Sequence, residues 1–307
     1  MAETKTHLSR MIYRTRPSHL VVLAVVGVWL VVILSITGPA WGWWIRGHGL
    51  ITEAAARHLP EDMPVFFRKA TRELATLSGD PDRWKNPETR PLRSSESPEH
   101  YIDLEDYNNQ PLPANRYEAV ALLQRLKRRP ERAGLLPWAI QDYYERLTCA
   151  FADYRRQPEE LAHQMKCIVY AGILAHYAQD ATMPLHTTRD YDGRRRPDGT
   201  YAQKGIHAKI DGFPETYNLS PEEIGKNLQA KVHEDMWRQI LSIIDESYKQ
   251  VDRCYELDAR GEFDKPTETS RAFILSRCRL AAQFTLDLWY SAWKRSEKLP
   301  PPFPGAP

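Results

Sequence analysis

Between Tyr170 and Asp211 the chain reads YAGILAHYAQDATMPLHTT, then RDYDGRRRPDGTYAQKG, then IHAKID. His176 and Asp180 stand four residues apart, so on a helix they share a face and can grip one ion. His186 follows Pro184, where a helix has to stop. His207 and Asp211 repeat the four-residue spacing on what reads as the next helix. A single His-x-x-x-Asp pair is more commonly a surface hydrogen bond. Two such pairs with a histidine between them are different, and the apolar lead-in of Ile168, Val169, Ile173 and Leu174 would bury His176. The stretch reads as a metal site, able to supply more than one zinc ion with nitrogen and oxygen ligands.

That site needs helices, and the rest of the chain offers them. Alternating apolar runs bounded by Asn-Gly or Asp-Gly turns are not evident, whereas helical spacing with capping residues recurs. The expected fold is all-α, a multi-helix bundle around a clustered zinc site. With 42% hydrophobic and 27% charged residues among 307, the body reads as globular rather than disordered.

The first forty residues depart from this. Lys5, Arg10, Arg14 and Arg16 precede an apolar run from Leu20 to about Thr37, and small residues with Gly38-Pro39-Ala40 follow. This is the pattern of an export signal; a run of about 18 apolar residues is also long enough to stay as a membrane anchor. Residues 1 to 40 are thus a signal peptide or an anchor, residues 41 to 298 the folded body, and residues 299 to 307 a Pro-rich tail. Either alternative places the body outside the cytoplasm, with membrane association through residues 20 to 37 if the anchor persists. Without residues 1 to 40 the chain loses four Lys/Arg and one Asp/Glu, leaving 38 against 39. Bulk charge therefore selects no polyanionic partner. Cys149, Cys167, Cys254 and Cys278 form no Cys-x-x-Cys pair, and an exported location favours disulfides. Three pairings are open; neighbouring helices favour Cys149 with Cys167 and Cys254 with Cys278.

In chain order, His48 opens a short helix that Pro60 ends, and a second helix runs from about 64 to 77. Residues 78 to 99, rich in Pro, Asp, Ser and Arg, read as an ordered surface loop. Asp103 sits among Tyr101, Ile102 and Leu104, a setting that suits a cap, a surface group or a buried ligand. Helices are expected at about 115 to 127, 138 to 155 and 159 to 182. Ser220-Pro221-Glu222-Glu223 is a capping box opening a helix to about Val251, and a last helix covers about 270 to 298.

A tryptophan just after a cleavage site, a histidine several residues on, HYID, His-x3-Asp-x5-His and then His-x3-Asp together resemble the family of zinc-dependent phospholipases C and P-one/S-one nucleases. The resemblance covers most of Trp41 to Trp293. It implies an all-α fold with up to three clustered zinc ions that hydrolyses phosphodiesters. Carried over by residue, it implies a first zinc on Asp103, His176 and Asp180 and a second on His186, His207 and Asp211. A third falls to Trp41, through its free amino group and carbonyl, with His48 and a bridging Asp180. Asp103, as ligand and carboxylate, would orient or deprotonate the attacking water.

Three departures stand out. The family's first zinc takes a further histidine, and Ala139 stands in the segment where it is expected. His163, thirteen residues before His176, points about 140° away on a continuous helix. The first site is then short of a ligand, with His100 the substitute at hand. Ile210 precedes the final aspartate, where the nucleases have tryptophan; the phospholipases have GIH followed by glutamate, and this chain has GIHAKID. Trp41 lies seven residues before His48 and Trp43 five, which leaves the N-terminal register open. The loop Arg189 to Lys204 spans two expected ligands, and its Arg194, Arg195, Arg196 and Lys204 are either a solvated run or contacts for an anionic substrate. Three functions remain open: a phosphodiesterase acting on phospholipid head groups, which is favoured, a nuclease acting on single-stranded nucleic acid, and a zinc-stabilised binding domain. A nuclease would need aromatic platforms near the metals, such as Trp138 or Tyr191.

Overall fold

A computed structural model describes residues 44–301, and these form an all-α bundle. The leader, Trp41 and the end of the tail lie outside the described residues. Among the described residues no helix is long and apolar enough to cross a membrane.

Three long helices make the frame. Leu136–Arg156 and Leu161–Asp180 pack along each other, and Glu268–Arg295 lies against both. Ile45–Ala56 and Thr71–Leu77 close the bundle on the other side of Leu161–Asp180. Leu161–Asp180 has its C-terminal half buried without a break from Ala171 to Asp180, so it is the central element. An all-round apolar helix of this kind has to be enclosed. Trp289 and Phe67, Phe151 and Phe67, and Phe151 and Trp293 meet edge to face around it.

Gly172 lets this central helix approach its neighbour. A Cβ there would come within 2.4 Å of the Leu77 Cβ, so any side chain would push Thr71–Leu77 away. One turn later stands His176. On the opposite side, Trp289 Nε1 donates to the Ala171 carbonyl at 3.0 Å, and buried Arg277 Nε donates to the Thr182 carbonyl at 3.1 Å. The turn that follows Asp180 is thereby tied to Glu268–Arg295 through Arg277.

Local details differ from the sequence reading. The helix expected over 64 to 77 breaks at Lys69 and Ala70 into Val65–Arg68 and Thr71–Leu77. Ser220 does cap its helix by accepting from Glu223 N, but that helix is only Pro221–Ile224; Asp235 caps a new one, Met236–Tyr248, and Val251–Ala259 follows. Among the described residues the only strands are Arg194–Arg195 and Tyr201–Ala202, an antiparallel pair within the long loop.

The largest correction is residues 78 to 99. They are not a surface loop but the helices Asp80–Trp84 and Arg90–Glu96, leading into a 3-10 turn at Ser97–His100. Pro81 and Pro91 each sit in a first helical turn, where the missing N–H costs nothing. The prolines that suggested a loop are helix starts.

The expected disulfides are also not formed. All four cysteines are free; Cys149 is exposed on the bundle surface while Cys167 is buried, so the two face apart. Cys254 and Cys278 are buried thiols whose surroundings push their ionisation well up. They behave as small apolar core residues.

Candidate metal centre

The site is assembled from separate segments that meet at the C-terminal end of the central helix. His176 and Asp180 project from Leu161–Asp180, both fully buried. His48 comes from Ile45–Ala56, its ring stacked on that of His176 at 4.0 Å between centroids. Asp82 comes from the helix Asp80–Trp84, and His100 from the 3-10 turn Ser97–His100. His186 lies on the 3-10 turn Pro184–Thr187, and His207 and Asp211 on the short helix Ile206–Asp211.

These side chains converge as three groups, each able to hold a metal ion: His48, His176 and Asp180; Asp82, His100 and His176; and His186, His207 and Asp211. Asp180 is the hub. One oxygen is 3.6 Å from His48 Nε2 and 3.3 Å from His186 Nδ1; the other is 3.0 Å from His100 Nδ1 and 3.3 Å from His176 Nε2. In the third group His207 Nε2 stands 2.8 Å from Asp211 Oδ2 and 2.9 Å from His186 Nε2.

Hydrogen bonds at the outer nitrogens fix the tautomers. His176 Nδ1 meets the Ser78 carbonyl at 2.7 Å, and His186 Nδ1 meets the His100 carbonyl at 2.8 Å. A carbonyl only accepts, so these nitrogens carry the protons. His48 Nδ1 likewise meets Gln179 Oε1 at 2.7 Å, an orientation set because Gln179 Nε2 donates to Thr52. The Nε2 lone pairs of all three rings therefore face inward. His176 Nε2 ends 2.9 Å from His100 Nδ1. Two ring nitrogens so close share either a proton or a metal ion.

The carboxylates make the same demand. Buried His48 Nε2, Asp180 Oδ1 and Asp211 Oδ1 have no hydrogen-bond partner. Burial raises Asp180 well above the ordinary carboxylate range, and Asp82 and Asp211 add to it. Burial also raises Asp211. Burial lowers His48 and His176 to about 4 and takes His100 and His186 well down, so these imidazoles are neutral at physiological pH, the form that ligates. Burial pulls His207 down too, but its ion pair with Asp211 prevails and raises it. Neutral inward lone pairs facing buried unpaired carboxylates fit a set of divalent cations.

Lys85 adds a fixed positive charge. It is buried, with Nζ 2.6 Å from Asp82 Oδ1 and 3.3 Å from His100 Nδ1. Burial alone would raise Asp82, and the adjacent ammonium brings it below the usual carboxylate range instead.

Of the residues expected from the sequence, His48, His176, Asp180, His186, His207 and Asp211 are brought together. Asp103 is not among the three groups, and this corrects its place as a ligand of the first ion. Its backbone N–H donates to the Ala133 carbonyl at 2.7 Å, where Gly134 lets the chain run close to Tyr101. Its carboxyl is pushed up to about 8 by burial and by Glu105 and Asp106. Asp82 occupies the group expected to hold Asp103. The apparent shortage of a histidine at the first site is made up by His100, while Ala139 is simply buried in the core. His163 is half-buried and pairs with Gln157, His58 bonds the Ala54 carbonyl, and His233 pairs with Asp287; all three lie outside the groups.

The loop Arg189 to Lys204 is rooted beside the third group. Tyr255 OH is held by the Asp190 carbonyl and the Gly193 N–H, and Asp192 Oδ1 accepts from Gly205 N at 2.8 Å. Arg194 pairs with Asp252 and covers the Tyr255 ring. Tyr191 is exposed, with its ring 5.7 Å from that of His207. Trp138, by contrast, is buried in the core, with Nε1 donating to the Pro113 carbonyl.

No protein-family profile matches the chain, and no curated protein does. Among solved structures it is similar to the alpha-toxin of Clostridium perfringens, from an avian strain, at 14% identity and a TM-score of 0.46, over 84% of this chain and 67% of that one.

Proposed function

We propose that this chain is a zinc-dependent phosphodiesterase whose substrates are phospholipid head-group esters. The observation that carries the reading is the convergence of inward imidazole lone pairs on the hub carboxylate of Asp180, with His186, His207 and Asp211 alongside. His48, Asp82, His100, His176 and Asp180 would hold ions on one side of the hub, and His186, His207 and Asp211 on the other. Zinc, when bound, supplies Lewis acidity for phosphate oxygens and lowers the pKa of water.

The chain's own groups do the rest. Asp82, held by Lys85, is the carboxylate placed to orient an attacking water, the role that the sequence assigned to Asp103. The Lys85 ammonium offers charge to a phosphate oxygen. Asp103, raised to about 8, carries its proton at neutral pH.

One observation favours the second reading, a nuclease acting on single strands: exposed Tyr191 is an aromatic face beside His207. Assays on phosphatidylcholine vesicles and on single-stranded DNA, each with and without a chelator, separate the readings. Release of phosphocholine that the chelator abolishes supports the phospholipase. Chelator-sensitive cutting of DNA alone would replace it with the nuclease, and zinc binding without either activity would leave a binding domain.

A further inference from the structure

Resting on the metal-centre reading above, we infer that Glu96 is a positioning residue that holds His100 in its ligating pose through the ring nitrogen facing away from the ions. His100 is reversed relative to its neighbours. His48 and His176 turn Nδ1 outward, to a side-chain amide and to a backbone carbonyl. His100 turns Nδ1 inward, towards His176 Nε2 at 2.9 Å and Asp180 Oδ2 at 3.0 Å, and leaves Nε2 outward. There it is buried without a hydrogen-bond partner, and Glu96 Oε1 lies 3.3 Å away, within reach of its N–H.

Glu96 is placed for that contact by the backbone. It ends the helix Arg90–Glu96, and His100 closes the 3-10 turn that follows, four residues on. The Tyr177 hydroxyl donates to the same carboxylate oxygen, and Tyr177 adjoins His176 on the central helix, its ring 5.6 Å from that of His100. Glu96 is buried, at 8% exposure. A buried carboxylate costs stability unless something uses it, and Glu96 is hydrogen-bonded by the Tyr177 phenol, a neutral group. The unsatisfied outer N–H of His100 has this carboxylate within reach; a histidine that donates there has a fixed tautomer and a more basic inner nitrogen, and losing such a partner typically weakens metal binding by about 10- to 100-fold.

The test is zinc affinity, measured by competition with a chromophoric chelator on the full chain, for wild type, Glu96→Gln and Glu96→Leu. Glu96→Leu is expected to weaken one ion by about 10- to 100-fold while the others keep their affinity. Glu96→Gln, which keeps an acceptor but not the charge, should fall between. Cobalt in place of zinc gives a readout independent of activity: the visible bands of one ion should shift in Glu96→Leu and recover partly in Glu96→Gln. Circular dichroism and Tm of Glu96→Gln guard against misfolding of the leucine variant. Wild-type affinity and spectrum in Glu96→Gln and Glu96→Leu would overturn the inference, as would an equal loss of every ion in folded Glu96→Gln. A wild-type chain that binds no zinc would instead overturn the metal-centre reading.

Discussion

Asp180 shows how one residue can set the terms for a whole site. Its two oxygens each face histidines from different segments, so it is the one carboxylate through which the groups communicate. Asp180→Asn keeps the shape and removes the charge, and is expected to lower zinc content more than His186→Ala does, and to abolish phosphodiester cleavage. Elemental analysis decides it: undiminished and equal zinc in both variants would remove Asp180 as a ligand. Asp103 makes a different prediction. Its folded pKa, about 8, lies above the unfolded value near 3.8, so the folded state holds the proton more tightly. The sign is a penalty: absent below about pH 4, growing as pH rises, and complete above about 8. Asp103→Asn removes it. The variant's Tm should match wild type near pH 4 and exceed it increasingly towards pH 8; a difference independent of pH would mean that Asp103 ionises normally.

At the scale of elements, the central helix and its ligands were legible because four-residue spacing and an apolar approach are local signals. His176 and Asp180, and His207 and Asp211, could be paired within one turn of helix. Asp82, Lys85 and Glu96 could not, since they reach the site through the packing of Asp80–Trp84 and Arg90–Glu96, eighteen residues and more of chain for Asp82 and His100. A cue was present: Gly79-Asp80-Pro81-Asp82 puts an acidic first turn and a proline at a helix start. Composition outweighs it, and the resemblance carries Asp103 of HYID, rather than Asp82, into the first site. Helix packing also supplies a prediction. Gly172→Ala puts a methyl 2.4 Å from the Leu77 Cβ, and Ser78, whose carbonyl orients His176, is the next residue. Overpacking of this kind costs about 1–3 kcal/mol. Gly172→Ala should lower Tm and weaken zinc binding together. Unchanged zinc affinity with a lowered Tm would show that the helix contact and the His176 pose are independent.

Taken as a whole, the molecule buries a set of groups that make sense together only around cations. His48, His176, Asp180 and Asp211 are fully enclosed, and each carboxylate raises the other's pKa or is raised by Asp82. No disulfide offsets that cost, since all four cysteines are free. Lys85 supplies one positive charge, against the three carboxylates of Asp82, Asp180 and Asp211. The bundle should therefore depend on metal for stability as well as for chemistry. An ion held at 100 times its Kd adds about 2.7 kcal/mol, and a chain of this size gains about 2–4 °C per kcal/mol. Removing a single such ion should lower Tm by about 5–10 °C, and removing several should lower it further. Calorimetry of the chain with zinc, after chelation and after zinc is restored checks this. A reducing agent, in contrast, should leave Tm where it is. If chelation changes nothing, the enclosed carboxylates are protonated in the resting protein and the fold stands without ions; a Tm that falls on reduction instead would mean that disulfides, not metals, brace the bundle.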